Sequence, residues 1–295
     1  MDWFSLSLLC ALCLASADAL TKKKLSDYSA RELVLVRFGV SALLLAPLVL
    51  LRPLPPLPPA FWGWLAALVP LELLAMSLYV VAIRDAPLAH TLPYLAFTPV
   101  MTTLTGVLVL GETVSLQGLA GILLVVAGAY LLNLESAGAF AAQVGRRPWL
   151  EPLRAILRER GSRLMLAVAA IYSLTSVMGK AALQYMPPET FGPFYWCLLG
   201  LVSVLLFASR SPRALGVIWR RPLWHLAVGF LMGVMIITHF LALARVEVAY
   251  MLAVKRTSLV FGILFGALFF GERDLRRHLL AGTLMCAGVA IILLS

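Results

Sequence analysis

Two adjacent cations, Lys255 and Arg256, stand in an otherwise apolar stretch and are followed at once by Thr257 and Ser258. Arginine offers a planar fork that bonds two oxygens together, and lysine a compact point charge, so the pair suits a phosphate or a carboxylate. Arg37, Glu72, Tyr79, Tyr94, His239 and Tyr250 also interrupt apolar runs and complete the candidate substrate-binding set of eight. Glu72, near the middle of the run from Phe61 to Ile83, either exchanges a proton or answers a cation, Arg37 or Lys255. The basic pair has its own rival readings. Glu72 or Asp18 neutralises it without any cargo, or its long side chains reach out to lipid headgroups. Tyr195 and Trp196 fit a cavity wall or an interfacial aromatic belt equally well, Lys180 near a run's end fits the headgroups, and Asp18 fits a cap or loop salt bridge.

The elements that must hold these side chains follow from composition. Of 295 residues, 62% are hydrophobic and 13% charged, with mean hydropathy +0.95. That excludes a water-soluble globule and a disordered chain. Apolar runs cover approximately 3 to 20, 33 to 51, 60 to 83, 87 to 110, 116 to 134, 164 to 184, 190 to 208, 223 to 244, 247 to 270 and 278 to 294. They are continuous rather than alternating, which excludes a β-barrel and predicts helices of about 20 residues. Lys22 to Lys24 follow the first run and no basic residue precedes it, the reverse of a secretory signal, so it counts as a span. The net charge of +10 sits in loops, which makes membrane lipids the partners and excludes nucleic acid. About fourteen residues separate Thr257 from Phe270, near 21 Å of helix, so the ninth span must start before the basic pair and carry it into the hydrocarbon. Each such cation costs about 2.5–3.5 kcal/mol on insertion scales and needs a polar cavity or a partner.

The halves repeat. Residues 79 to 134 laid on the segment 160 positions later match at about fourteen of roughly fifty-six positions, including Gly111-Glu112 over Gly271-Glu272 and Ala127-Gly128 over Ala287-Gly288. With an odd number of spans per half, the copies must be inverted in the membrane, and such repeats place a binding site at their interface. His239 falls on Tyr79 under this offset. The fold expected is therefore an all-α integral membrane protein of ten transmembrane helices in two inverted five-helix repeats. Residues 1–134 form the first repeat, 135–163 a basic linker with a surface-lying amphipathic helix, and 164–295 the second repeat. Gly229-x-x-x-Gly233 and Gly262-x-x-x-Gly266 predict close helix approach. All four cysteines lie in apolar runs and read as packing residues. Gly111-Glu112 and Gly271-Glu272 read as hinges or caps.

These residues resemble the drug/metabolite transporter superfamily, and within it the EamA-type ten-helix proteins. The resemblance rests on Val36-Arg37-Phe38, Tyr79-Val80-Val81-Ala82, Pro99, Leu110-Gly111-Glu112 with Ala127-Gly128, and Phe270-Gly271-Glu272 with Ala287-Gly288. Lys255-Arg256-Thr257-Ser258 resembles the phosphate-gripping step of triose-phosphate and nucleotide-sugar translocators of the same superfamily. The resemblance implies a secondary transporter in a bacterial inner (cell) membrane, working by alternating access and without cofactors. No Gly-x-x-x-x-Gly-Lys-Ser/Thr loop is present, so coupling must come from an ion, a proton or an exchanged solute. The expected partner is a small anionic solute, a phosphorylated metabolite or a carboxylate, with a homodimer also compatible. A flippase for a lipid-linked phosphate, or an exporter of amino acids or drugs in which Lys255 and Arg256 are only structural, stays open. Enzyme chemistry is not expected, because no metal-binding or nucleophile–base spacing occurs. Loop charges favour both termini outside the cytoplasm, whereas family habit favours both inside.

Overall fold

The computed structural model describes residues 1–85, 92–143, 160–208, 212–270 and 275–295. The surface helix expected around 149–157 and the second glycine-glutamate step at 271–272 lie outside them. The described elements are helical, with no strand among them. In the first half they are α1 (Trp3–Lys24), α2 (Ala30–Val34), α3 (Ser41–Leu50), α4 (Pro59–Asp85), α5 (Thr98–Leu110) and α6 (Leu116–Gln143). The second half contributes α7 (Arg160–Leu183), α8 (Pro188–Ala208), α9 (Pro222–Leu243), α10 (Val248–Lys255), α11 (Ser258–Phe270) and α12 (Leu275–Leu293).

Local chemistry sets the boundaries. Asp2 caps α1, accepting from the Ser5 N–H at 2.9 Å, and hydrogen bonding from the Ser5 hydroxyl, then from this N–H, holds its carboxyl below the ordinary aspartate value. Ser29 and Glu32 form a reciprocal capping box at the start of α2. Gly111, at φ +66°, ends α5 in a left-handed conformation that a side chain would resist. The proline-rich stretch at 53–59 stops α3 and opens α4.

The expectation of ten uniform spans meets a less regular set. Six helical stretches among the described residues are long and apolar enough to cross a membrane: Trp3–Lys24, Ala30–Leu50, Pro59–Ile83, Arg160–Leu183, Pro188–Phe207 and Pro222–Leu243. Tyr94–Leu110, Leu116–Leu131 and Leu280–Leu293 are shorter apolar helices. Two of the expected spans are irregular where the site lies. The fourth enters through a 3-10 turn, Leu92–Phe97, which contains Pro93 and is followed by Pro99. The ninth is split, α10 ending at Lys255 and α11 starting at Ser258. A third irregularity is the π turn Leu35–Val40, which joins α2 to α3 and contains Arg37.

The interior is one large apolar cluster drawn from α1 to α4 and α7 to α10, with a smaller one between α6, α10 and α12. In the smaller one, backbones of the two repeats meet: a Cβ on Gly121 would lie 2.7 Å from the Gly288 carbonyl, and one on Gly128 equally close to that of Ala281. Small residues permit this approach without any hydrophobic drive from water. Gly229 packs in the same manner on Val40, whereas among the described residues a Cβ on Gly262 would meet nothing within 4 Å. Cys10 and Cys13 are buried as expected; Cys286 is exposed on α12, so packing does not explain it. Leu43, Leu104, Leu108, Leu205, Leu223 and Phe230 face outward, an apolar exterior suited to lipid.

Candidate functional site

Eight elements converge on a cavity of about 80 Å³, room for a few water molecules or a small solute. Its apolar wall comes mainly from Leu14, Met76, Leu95, Met232, Met235 and Leu252. Six of the eight candidate residues line it: Arg37, Glu72, Tyr79, His239, Lys255 and Arg256. Helical spacing explains part of the convergence. Glu72, Met76 and Tyr79 fall at i, i+4 and i+7 on α4, and Met232, Met235, Ile236 and His239 form the matching stripe on α9.

The break between α10 and α11 puts Lys255 and Arg256 at the cavity. Lys255 is the last residue of α10 and Arg256 its C-cap, where the negative end of the helix dipole favours cations. The Lys255 ammonium lies 3.3 Å from Nδ1 of His239. Lysine can only donate, so Nδ1 accepts and the ring's proton sits on Nε2. Arg256 is 4% exposed and its Nε–H has no hydrogen-bond partner. Among the described residues, neither cation has a carboxylate within ion-pair distance. The Thr257 hydroxyl, expected to join the grip, donates instead to the Val254 carbonyl at 2.8 Å and helps to close the turn.

Arg37 is held differently. Its Nη2 donates to Oδ1 of Asp18 at 2.5 Å and to the Thr21 hydroxyl at 3.2 Å, while the Tyr79 hydroxyl donates to the other oxygen of Asp18 at 2.8 Å. The counter-ion of Arg37 is therefore Asp18, not Glu72. Asp18 is not a membrane-edge cap either, since it spends both oxygens inside the bundle. Glu72 is buried against the Thr175 hydroxyl, in the field of Lys255, with no ion pair among the described residues.

Residues that sequence reasoning passed over complete the wall. Tyr172, Thr175 and Ser176 of α7 reach it, a polar trio at helical spacing that offered a legible signal. Tyr195 and Trp196 line it as well, and neither the Tyr195 hydroxyl nor the Trp196 Nε1–H has a hydrogen-bond partner. Together with the Arg256 Nε–H, these are unpartnered donors around a single hollow. Two candidates lie elsewhere. Tyr94 is buried in the core outside the lining, and Tyr250 accepts from the Ser115 N–H at 3.0 Å in the smaller cluster, so neither reaches the cavity.

Both ends of the bundle are tied across the halves. At one end the Glu112 carboxylate bonds Lys180 at 2.5 Å and accepts from the Val248 N–H at 2.9 Å, while Lys180 also donates to the Val246 carbonyl at 2.6 Å. Glu112 thus caps α10, and the Lys180 ammonium is held in this tie. At the other end Arg221 meets Asp27 at 2.9 Å, Arg220 meets Glu32 at 3.1 Å, and His225 meets the Tyr28 hydroxyl at 3.2 Å. These ties are at opposite ends of α1: Arg245, next to Val246, bonds the Met1 carbonyl, and Arg221 bonds that of Lys24. The cavity lies between them.

A solved structure described only as "Crystal structure of protein" superposes with a TM-score of 0.76, covering 99% of this chain and 99% of that one at 21% identity, which shows a shared fold. The search of curated proteins finds no match. The EamA-like transporter family profile matches residues 1–134 and again 160–294, one copy for each half of the bundle around the cavity. A polar hollow enclosed between two such copies, inside an apolar exterior, is the architecture of a multi-pass membrane transporter, and the chain belongs to the EamA-like transporter family.

Proposed function

We propose that the protein is a secondary transporter of a small organic anion, a phosphorylated metabolite or a carboxylate, which it moves by alternating access through the cavity between its repeats in a bacterial inner membrane. The observation that carries this reading is the donor excess: among the described residues Lys255 and Arg256 have no carboxylate partner, and the donors of Tyr195 and Trp196 beside them are unpartnered. Buried polar groups are ordinarily satisfied, and a visiting anion brings the acceptors that this cavity lacks. The 80 Å³ volume favours a compact solute over a nucleotide sugar.

The test is uptake of a panel of small phosphate esters, inorganic phosphate and carboxylates into proteoliposomes. Hydrogen bonds to charged groups are worth roughly 1.5–3 kcal/mol, so Lys255→Ala and Arg256→Ala should each lower saturable uptake about tenfold or more. Undiminished uptake in both variants overturns the anion grip. Leaflet-to-leaflet transfer of a lipid-linked phosphate without aqueous uptake would turn the reading to the flippase.

A further inference from the structure

The wall of the cavity holds a second chemistry, opposite in sign to the cations. Glu72 is 9% exposed, lines the same hollow as Lys255 and Arg256, and makes no ion pair among the described residues. Asp18 provides the control: it bonds Arg37 with one oxygen and Tyr79 with the other. The groups facing Glu72 offer it nothing comparable. From α7 they are Tyr172 and the Thr175 hydroxyl, from α8 Tyr195, and from α10 Lys255, whose charge reaches it through the cavity. His239, on α9, has its Nδ1 occupied by Lys255, and Arg37 has its Nη2 on Asp18.

We propose that Glu72 is a proton site and that protons and the anionic cargo travel together. This rests on the anion reading above. When Glu72 is ionised it is the only uncompensated negative charge lining the described cavity, and it offsets one of the two cations. When an anion arrives at Lys255 and Arg256, that counter-charge is no longer needed and becomes a like charge in a low-dielectric space. The carboxylate then takes a proton from water and becomes a neutral acid, so that the site holds cargo and proton together. Linkage makes the effect mutual: protonating Glu72 leaves both cations uncancelled and tightens the anion by the same factor by which the anion tightens the proton. Lower pH on the loading side therefore favours loading, and higher pH on the far side favours release of both.

The experiment uses the full chain in proteoliposomes with radiolabelled inorganic phosphate and the membrane potential clamped at zero. Two readouts are taken: phosphate exchange at equal pH on both sides, and accumulation driven by an inward proton gradient. Phosphate's own titration is common to all variants, so their differences report the side chain. The wild type is expected to exchange phosphate and, with one proton per anion, to gain up to about tenfold accumulation per pH unit. Glu72→Gln is expected to lose that gain, whatever rate of exchange it retains, and Glu72→Asp, which restores a titrating carboxyl, to recover it. A gradient response of wild-type size in Glu72→Gln overturns the proton site while leaving the anion reading intact. Loss of exchange in both Glu72 variants also overturns it, because the side chain would then be needed for the fold or for the grip. Absence of wild-type exchange with phosphate and with every phosphate ester and carboxylate of the panel above overturns the anion reading itself.

Discussion

Arg37 in the first half and the Lys255–Arg256 pair in the second are all deep in the bundle, yet they are housed in opposite ways. Arg37, 1% exposed, has an acid partner in Asp18, itself braced by Tyr79, and a bond to Thr21, although its Nε–H is left without a partner as that of Arg256 is. Lys255 and Arg256 have a neutral histidine, a helix C-terminus and unpartnered donors around them. The repeat sharpens this contrast, because the residues 160 positions before the pair are Leu95 and Ala96. A duplicated frame therefore carries unlike chemistry in its two copies. A charge inside a bilayer protein is evidence for cargo only once its partner is known; the same burial marks a structural strut in one half and a candidate grip in the other.

Removing partners should break this comparison most visibly. Asp18→Asn leaves the buried Arg37 uncompensated and should destabilise the protein by roughly 3–5 kcal/mol, seen as loss of monodisperse material and a lower melting temperature in detergent. Lys255→Met combined with Arg256→Met takes away two cations that have no carboxylate partner among the described residues and gives up the Lys255 bond to His239, so the melting temperature should stay level or rise while uptake disappears. A fall matching that of Asp18→Asn would mean that the two housings do not differ.

A smaller effect is expected at Glu112. Glu112→Gln keeps an acceptor for the Val248 N–H but forfeits the charge opposite Lys180, costing about 1.5–3 kcal/mol of closure at that end. With the native cysteines replaced, a cysteine at Ser176 in the cavity wall should then react several-fold faster with a membrane-impermeant thiol reagent. The least effect belongs to the outer tie. Asp27 and Arg221 are 47% and 41% exposed, so Asp27→Asn should shift stability by less than about 1 kcal/mol, and added salt should erase the difference.

Much of the frame was legible from residue types alone. Continuous apolar runs announced helices, and the offset of 160 paired Tyr79 with His239, both of which reach the cavity. The depth of Lys255 and Arg256 followed from counting residues to Phe270. Partnerships were not legible, because periodicity orders one helix and says nothing about which neighbour it meets. Asp18 and Arg37 lie 19 positions apart on different helices, and Glu112 and Lys180 lie 68 apart in different repeats. Nor did the split after Lys255 carry the usual glycine or proline; Arg256, Thr257 and Ser258 form it, with the threonine hydroxyl turned back on the backbone. Tyr250 was misplaced for a related reason. Its position on α10, one turn before the basic pair, gave no hint that it turns toward Ser115.

The short helix α10 has Glu112 at its first residue and Lys255 at its last. Eight helical residues span only about 12 Å and shift as one stiff rod. A displacement of the Glu112 carboxylate is therefore felt at the ammonium, and one of the ammonium at Glu112, along the length of a single short helix.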